Sequence, residues 1–167
     1  MKNIILIGMP GCGKTTIGKA LARRLGREFI DSDTVFEETV YPNISKYFAE
    51  KGENEFRREE TAILQRLAGK SGCIIATGGG VVERCENKDI LRKGGIVVFV
   101  NRSPEDIARD VDTSNRPLLA EGRERIFRLF ENRIEKYNDF CNIKVENNST
   151  LEELCEKIIN EVNSFNG

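Results

Sequence analysis

The chain has 167 residues, 26 basic against 27 acidic, and no histidine. That length suits one α/β domain burying roughly 70% of its unfolded surface, and near-neutral charge speaks against a nucleic-acid or anionic-membrane partner. Without histidine there is no Ser-His or Cys-His nucleophile pair and no ordinary catalytic zinc site, which leaves proton transfer to carboxylates, lysines or phosphate oxygens and metal use to hard cations, chiefly Mg²⁺.

Asn3-Ile4-Ile5-Leu6-Ile7 is an unbroken apolar run, the pattern of a buried parallel strand. Gly8 to Thr15 follows as G-x-x-x-x-G-K-[ST], a phosphate-binding loop. Ile17, Ala20, Leu21 and Leu25 then recur at helical spacing up to a stop at Gly26. Gly11 and Gly13 let the backbone curl so that N–H groups point at a polyanion, with Cys12 and Thr16 completing the loop's binding set. Lys14 brings a charge to the outer phosphates, and the Thr15 hydroxyl is placed for Mg²⁺. The ligand these imply is a nucleoside triphosphate.

Residues 28–33 read as a second strand ending in Asp31 and Asp33, both at the sheet rim beside the phosphate loop. Asp31 is the further candidate for the Mg²⁺ site. Asp33 either reaches an acceptor hydroxyl or caps a helix around Val35–Glu38. A short helix at Ile44–Phe48 closes at Gly52, and a longer one over Glu55–Ala68 carries Phe56, Glu60, Ile63, Leu64 and Leu67 on one stripe. Glu60, three residues after Arg57, is spaced to hold its guanidinium, whereas Arg58 and Glu59 read as solvated surface.

A third strand, Cys73–Thr77, empties into Gly78-Gly79-Gly80, a backbone that a ligand approaches closely. Thr77 is a candidate outer partner of the metal. Gly95–Val100 is the fourth strand; Ser103-Pro104-Glu105-Asp106 then caps a helix bearing Arg109. The polar stretch that follows suits a lid over about residues 112–124, with Arg116 able to swing over the phosphates. In the next helix Arg133 shares a face with Ile126, Phe130 and Tyr137, so it meets a carboxylate, faces a cleft, or snorkels to solvent. Cys141, Ile143 and Val145 alternate as in an edge strand, and Ser149-Thr150 caps a last helix. The expected fold is therefore α/β: a single doubly wound five-stranded parallel sheet with helices on both faces, one kinase-like domain over 1–167 with substrate-side helices at about 33–61. No apolar run approaches the ~20 residues of a membrane span, the first residues run straight into a strand without a signal peptide, and five cysteines with no C-x-x-C pair read as buried small hydrophobes in a reducing cytoplasm.

A phosphate loop, two acids, two fixed arginines and an arginine lid describe phosphoryl transfer to a small anionic acceptor. Another small-molecule kinase such as gluconate kinase, or an ATP-dependent switch, would share the loop. The ordered set of Gly13-Lys14-Thr15, Asp31-Ser32-Asp33, Gly52-Glu53 with Phe56-Arg57-Arg58 and Glu60, Gly78-Gly79-Gly80, Arg116-Pro117-Leu118-Leu119 and Arg133 to Tyr137 resembles the shikimate kinases over nearly the full length. That resemblance implies ATP- and Mg²⁺-dependent phosphorylation of the 3-hydroxyl of shikimate on the path to aromatic amino acids. It implies shikimate contacts from Asp33, Arg57, Gly79 and Arg133, with Arg57 and Arg133 at the carboxylate and Gly78 and Gly80 beside them. It also implies Arg116 on the ATP phosphates and Arg109 along the adenine, in a cytoplasmic monomer. Asn147-Asn148-Ser149-Thr150 lacks the arginine or proline that the resemblance leads one to expect near adenine.

Overall fold

All five residues of the first strand, Asn3–Ile7 (β1), are buried, as a strand flanked by two others and covered on both faces must be. The structure, a computed structural model, describes residues 1–113 and 119–166, with side chains except at 111–121 and 166. Phe29–Asp31 (β2), Ile74–Ala76 (β3), Gly95–Asn101 (β4) and Ile143–Glu146 (β5) complete one sheet of order β2-β3-β1-β4-β5. Every neighbouring pair is parallel, with Ile5 opposite both Ile75 and Val97. This is the five-stranded sheet the apolar runs predict, with β5 at the edge.

The helices are Lys14–Leu25 (α1), Ser32–Thr39 (α2), Ile44–Lys51 (α3), Glu53–Ala68 (α4), Glu86–Gly94 (α5), Pro104–Thr113 (α6), Leu119–Phe140 (α7) and Leu151–Asn166 (α8), with a 3₁₀ turn over Gly79–Glu83. In that order the chain passes from β1 through α1 to β2 on one side, and from β3 through α5 to β4 on the other. The sheet's direction of winding therefore reverses between β1 and β3. A crevice opens at the carboxyl ends of those two strands, and the phosphate loop and the glycine triplet both emerge there.

The opposite end of the sheet is pinned by Asn3, which is fully buried. Its amide donates to the Lys70 and Gly94 carbonyls, each at 2.8 Å, and its oxygen accepts from the Cys73 N–H at 2.9 Å. One polar side chain thus joins the starts of β1, β3 and β4. Where α2, α3 and α4 meet, Phe36 lies edge-on to Tyr47 at 5.1 Å and tilted against Phe56 at 5.2 Å, joining the three helices.

Two expectations change, and one falls partly outside the described residues. The second strand stops at Asp31, and Ser32-Asp33 already begin α2, because the Asp31 carboxylate accepts the Asp33 N–H at 2.9 Å and caps the helix. Of the stretch expected as a lid, about 112–124, α6 runs to Thr113 and α7 starts at Leu119, while Arg116 and the rest of 114–118 lie outside the described residues. Cys85 is exposed and Cys141 partly so, leaving only Cys12, Cys73 and Cys155 as buried hydrophobes. Periodicity does not announce α5, which is anchored by polar Asn87: it accepts from the Thr61 hydroxyl at 2.9 Å and donates to the Val81 carbonyl at 2.8 Å.

Candidate active site

Gly11 and Gly13 sit at φ +80° and +100°, conformations that a side chain would strain, and they carry the chain from β1 around into α1. Lys14 is folded back over the loop, donating to the Gly8 carbonyl at 2.8 Å and the Met9 carbonyl at 2.9 Å. The loop is thereby stapled into its curl, and the ammonium stays at the lip of the cleft, where it also lies 3.6 Å from Cys12 Sγ. Cys12 itself is fully buried, its N–H donated to the Met9 carbonyl at 3.1 Å. A cleft of about 590 Å³ opens over the loop, lined among others by Thr15, Thr16, Asp31, Asp33, Gly79 and Arg102.

The Thr15 hydroxyl donates to Asp31 Oδ2 at 3.0 Å. Two hard oxygen donors beside an anion loop are chemically suited to Mg²⁺. Thr77 also borders this cleft, but its hydroxyl is donated to the Leu6 carbonyl at 3.0 Å. Asp33, in the first turn of α2, lines the same cleft and lies close against Gly78: a Cβ there would lie 2.9 Å from Asp33 Oδ1 and 3.1 Å from Glu60 Oε2. Burial raises the Asp33 carboxyl above its usual value, Asp31 pushes it further, and Lys14 and Arg57 oppose them.

Arg57 is buried at 8% exposure, and its Nη1 donates to Glu60 Oε1 at 2.9 Å. It stacks beside the Phe56 ring at 5.1 Å and lies flat on Gly80, where any Cβ would collide with the guanidinium. Its Nε, 3.6 Å from Glu53 Oε1, is buried without a hydrogen-bond partner among the described residues. Burial raises the Glu60 carboxyl against the pull of Arg57, and both Asp33 and Arg133 act on it electrostatically. Asp33, Glu60, Arg57 and Arg133 therefore form one cluster rather than separate surface features.

Arg133 meets a carboxylate, the first of the three fates open to it: Nε donates to Glu83 Oε1 at 3.0 Å. One turn on, Tyr137 is fully buried, stacks on Phe99 at 5.0 Å and donates its hydroxyl to the Gly79 carbonyl at 2.6 Å. Burial pushes that phenol far above its usual value, so it stays a proton donor. The glycine triplet is thus approached closely by the protein itself, with Pro10 against Gly79, Arg57 against Gly80 and Asp33 against Gly78.

Sequence reasoning missed Glu83, Arg102 and Asn147. Glu83 lies past the glycines with no partner at helical spacing, so only the fold reveals that it faces Arg133. Arg102 donates to the Gly11 carbonyl at 3.1 Å and to Asp110 Oδ2 at 2.6 Å, and Asn147 donates to the Cys12 carbonyl at 2.8 Å. Arg109 is exposed on α6, paired at 3.2 Å with Asp106 a turn earlier. Arg116 falls outside the described residues.

Comparison with known proteins bears on the family and the fold. Residues 10–163 match the shikimate kinase family model. A shikimate kinase of Clostridium botulinum is 43% identical over 159 residues, spanning 95% of this chain and 96% of that protein. A solved shikimate kinase of Acinetobacter baumannii, in complex with shikimate, superposes with a TM-score of 0.89 at 34% identity, covering 98% of this chain and 94% of that one. A gluconokinase of Sinorhizobium meliloti superposes at 0.69 with 20% identity, a likeness of fold alone.

Proposed function

The chain belongs to the shikimate kinase family, and from that premise we propose how its own residues carry ATP-dependent phosphorylation of the 3-hydroxyl of shikimate. The observation that supports this most is the crevice at the β1/β3 reversal, where the phosphate loop, Asp33 and Gly79 line one cleft and Arg57 packs on the adjoining Gly80. The amides around Gly11 and Gly13, with Lys14, Thr15 and Thr16, hold the ATP phosphates, and Lys14 exchanges its carbonyl partners for phosphate oxygens. Arg116 from the lid and Arg109 from α6 complete the nucleotide site. Bound Mg²⁺, held by Thr15 and Asp31, would neutralise phosphate charge. Arg57 and Arg133 clamp the shikimate carboxylate, and the Gly78–Gly80 backbone forms the floor. Asp33 accepts the proton of the 3-hydroxyl as that oxygen bonds to the γ-phosphorus and the bond to ADP breaks. The transition state is loose, so orientation and charge neutralisation contribute more than base strength.

One connected core supports reading residues 1–167 as a single domain. We read the protein as a monomer, since Met1, Phe48 and Phe165 are the only large exposed apolar side chains among the described residues. No helix among those residues is long and apolar enough to cross a membrane. Five free cysteines suit the cytoplasm.

A coupled ADP-release assay offering shikimate, gluconate and nucleoside monophosphates tests the function: turnover with shikimate alone supports it, and turnover with gluconate instead overturns it. Two variants probe the acid clamp. Gly80→Ala forces the Arg57 guanidinium off its seat and is expected to raise the shikimate KM about tenfold or more, with a lower Tm, read by steady-state kinetics and thermal melting. Glu83→Ala frees Arg133 Nε and is expected to raise the shikimate KM about tenfold while kcat changes little. Burial lifts the Glu83 carboxyl, but the hydrogen bond and charge of Arg133 and the charge of Lys136 outweigh this and hold it below its ordinary 4.5. Its contribution to stability is therefore complete above that value and is lost as the pH falls through the lower, folded pKa.

A further inference from the structure

We infer that Asn147, which lies behind the phosphate loop rather than in the cleft, is a positioning residue for the nucleotide phosphates. The loop's carbonyls are its weakness as an anion site, because any one turned toward the phosphates would repel them. Four of them accept from side chains: Gly8 and Met9 from Lys14, which turns to the phosphates when they bind, and Gly11 from Arg102 and Cys12 from Asn147, which stay in place. The last two donors come from the first residues after β4 and β5, the strands on the far side of β1 from the acid clamp.

Asn147 is itself rigidly placed. Its backbone N–H donates to the Asn101 carbonyl at 2.8 Å, extending the β4–β5 ladder by one bond. Next to it the Asn101 amide donates to both carboxylate oxygens of Glu146, at 2.8 and 3.1 Å. The side-chain nitrogen sits where a Cβ on Gly13 would come within 3.1 Å of it, so the contact also depends on Gly13 lacking a side chain.

In a trans peptide the carbonyl and the following N–H point in opposite directions. Fixing the Cys12 carbonyl on Asn147 therefore sends the Gly13 N–H the other way. Gly13 lines the cleft and Asn147 does not, so that N–H is aimed at the bound polyphosphate before the nucleotide arrives. The donor is set in advance, and nucleotide binding need not reorganise the loop.

The inference rests on the nucleotide site proposed above. Calorimetric titration of the full chain with ADP, and separately with shikimate, tests it in wild type, Asn147→Ala, Asn147→Ser and Asn147→Asp. Loss of one neutral hydrogen bond predicts ADP affinity about three- to tenfold weaker in the alanine variant. The serine variant, which keeps a shorter donor, is expected to fall between alanine and wild type. The aspartate variant, equal in size but presenting a charge to the carbonyl and to the phosphates, is expected to be weakest. Shikimate affinity is expected to stay at the wild-type level in all three. Unchanged ADP affinity in the alanine and aspartate variants, an equal loss for shikimate, or failure of all three to fold overturns the inference. Wild type that binds no ADP sinks the nucleotide site itself, a different outcome from wild type that binds and variants that bind equally well.

Discussion

Asp33→Asn is expected to lower kcat about a thousandfold, at the middle of the range for a lost general base, while leaving ADP affinity within about twofold. The side chain starts α2, where the Asp31 cap fixes its backbone, and it lies against Gly78, so an amide of the same size fits without disturbing the crevice. What asparagine cannot do is accept the hydroxyl proton. The loop donors that hold phosphate are untouched, which separates this outcome from general damage to the site. The acid limb of the wild-type profile carries the same signature. Burial and then Asp31 raise the Asp33 carboxyl, so the base is lost by protonation at a pH above its ordinary 3.8. Activity should fall as the pH drops through that raised value, and the limb should vanish from the residual activity of the asparagine variant. Turnover near the wild-type rate would remove Asp33 from the mechanism.

Arg57→Ala is expected to have the second-largest effect, on binding and stability together. Removing the guanidinium deletes one half of the carboxylate clamp, a charged contact whose loss raises the shikimate KM about thirtyfold or more. It also strands Glu60, which is 5% exposed and bonded to Arg57 at 2.9 Å. A buried carboxylate without its partner is costly, so the variant should melt well below wild type. The sign of the pH dependence follows. Burial already raises the Glu60 carboxyl, and without Arg57 it rises further, so the stability gained at low pH is lost as the pH rises through that folded value. The melting deficit should therefore widen from pH 5 to pH 8, an interval of ~3 units chosen to bracket a raised carboxyl. Arg133→Ala should show the kinetic defect with a smaller stability loss, because Glu83 is half open to solvent and keeps Lys136 at 3.5 Å. Equal melting temperatures for Arg57→Ala and wild type would contradict the buried-pair argument.

The centre of the sheet was legible because its strands are buried on both faces and so appear as plain apolar runs, from Ile4 to Ile7 and from Ile96 to Val100. The phosphate loop was legible because each of its residue types answers a local requirement. Arg57 could be matched to Glu60 because both lie on one helix, three residues apart. The partner of Arg133 could not, since Glu83 is 50 positions away and meets it only through packing of α7 on the 3₁₀ turn. The same limit hides Asn147, whose 135-residue reach to Cys12 leaves no periodic trace. Asp33 was placed at a strand end because its neighbour Asp31 looks alike in sequence, and only the cap geometry tells the two apart. Helix α5 escaped notice for a related reason: its buried anchor is an asparagine, which hydropathy counts as surface.

The central claim is that one crevice holds both reactants in line, phosphates on the loop and acid on the arginines, with Asp33 between them. A crystal structure of the protein with ADP and shikimate tests it most directly. The account predicts the carboxylate on Arg57 and Arg133, the 3-hydroxyl within hydrogen-bond reach of Asp33, and that hydroxyl facing the terminal phosphate position. Shikimate bound elsewhere, or bound with its 3-hydroxyl turned away from both Asp33 and the nucleotide, would contradict it.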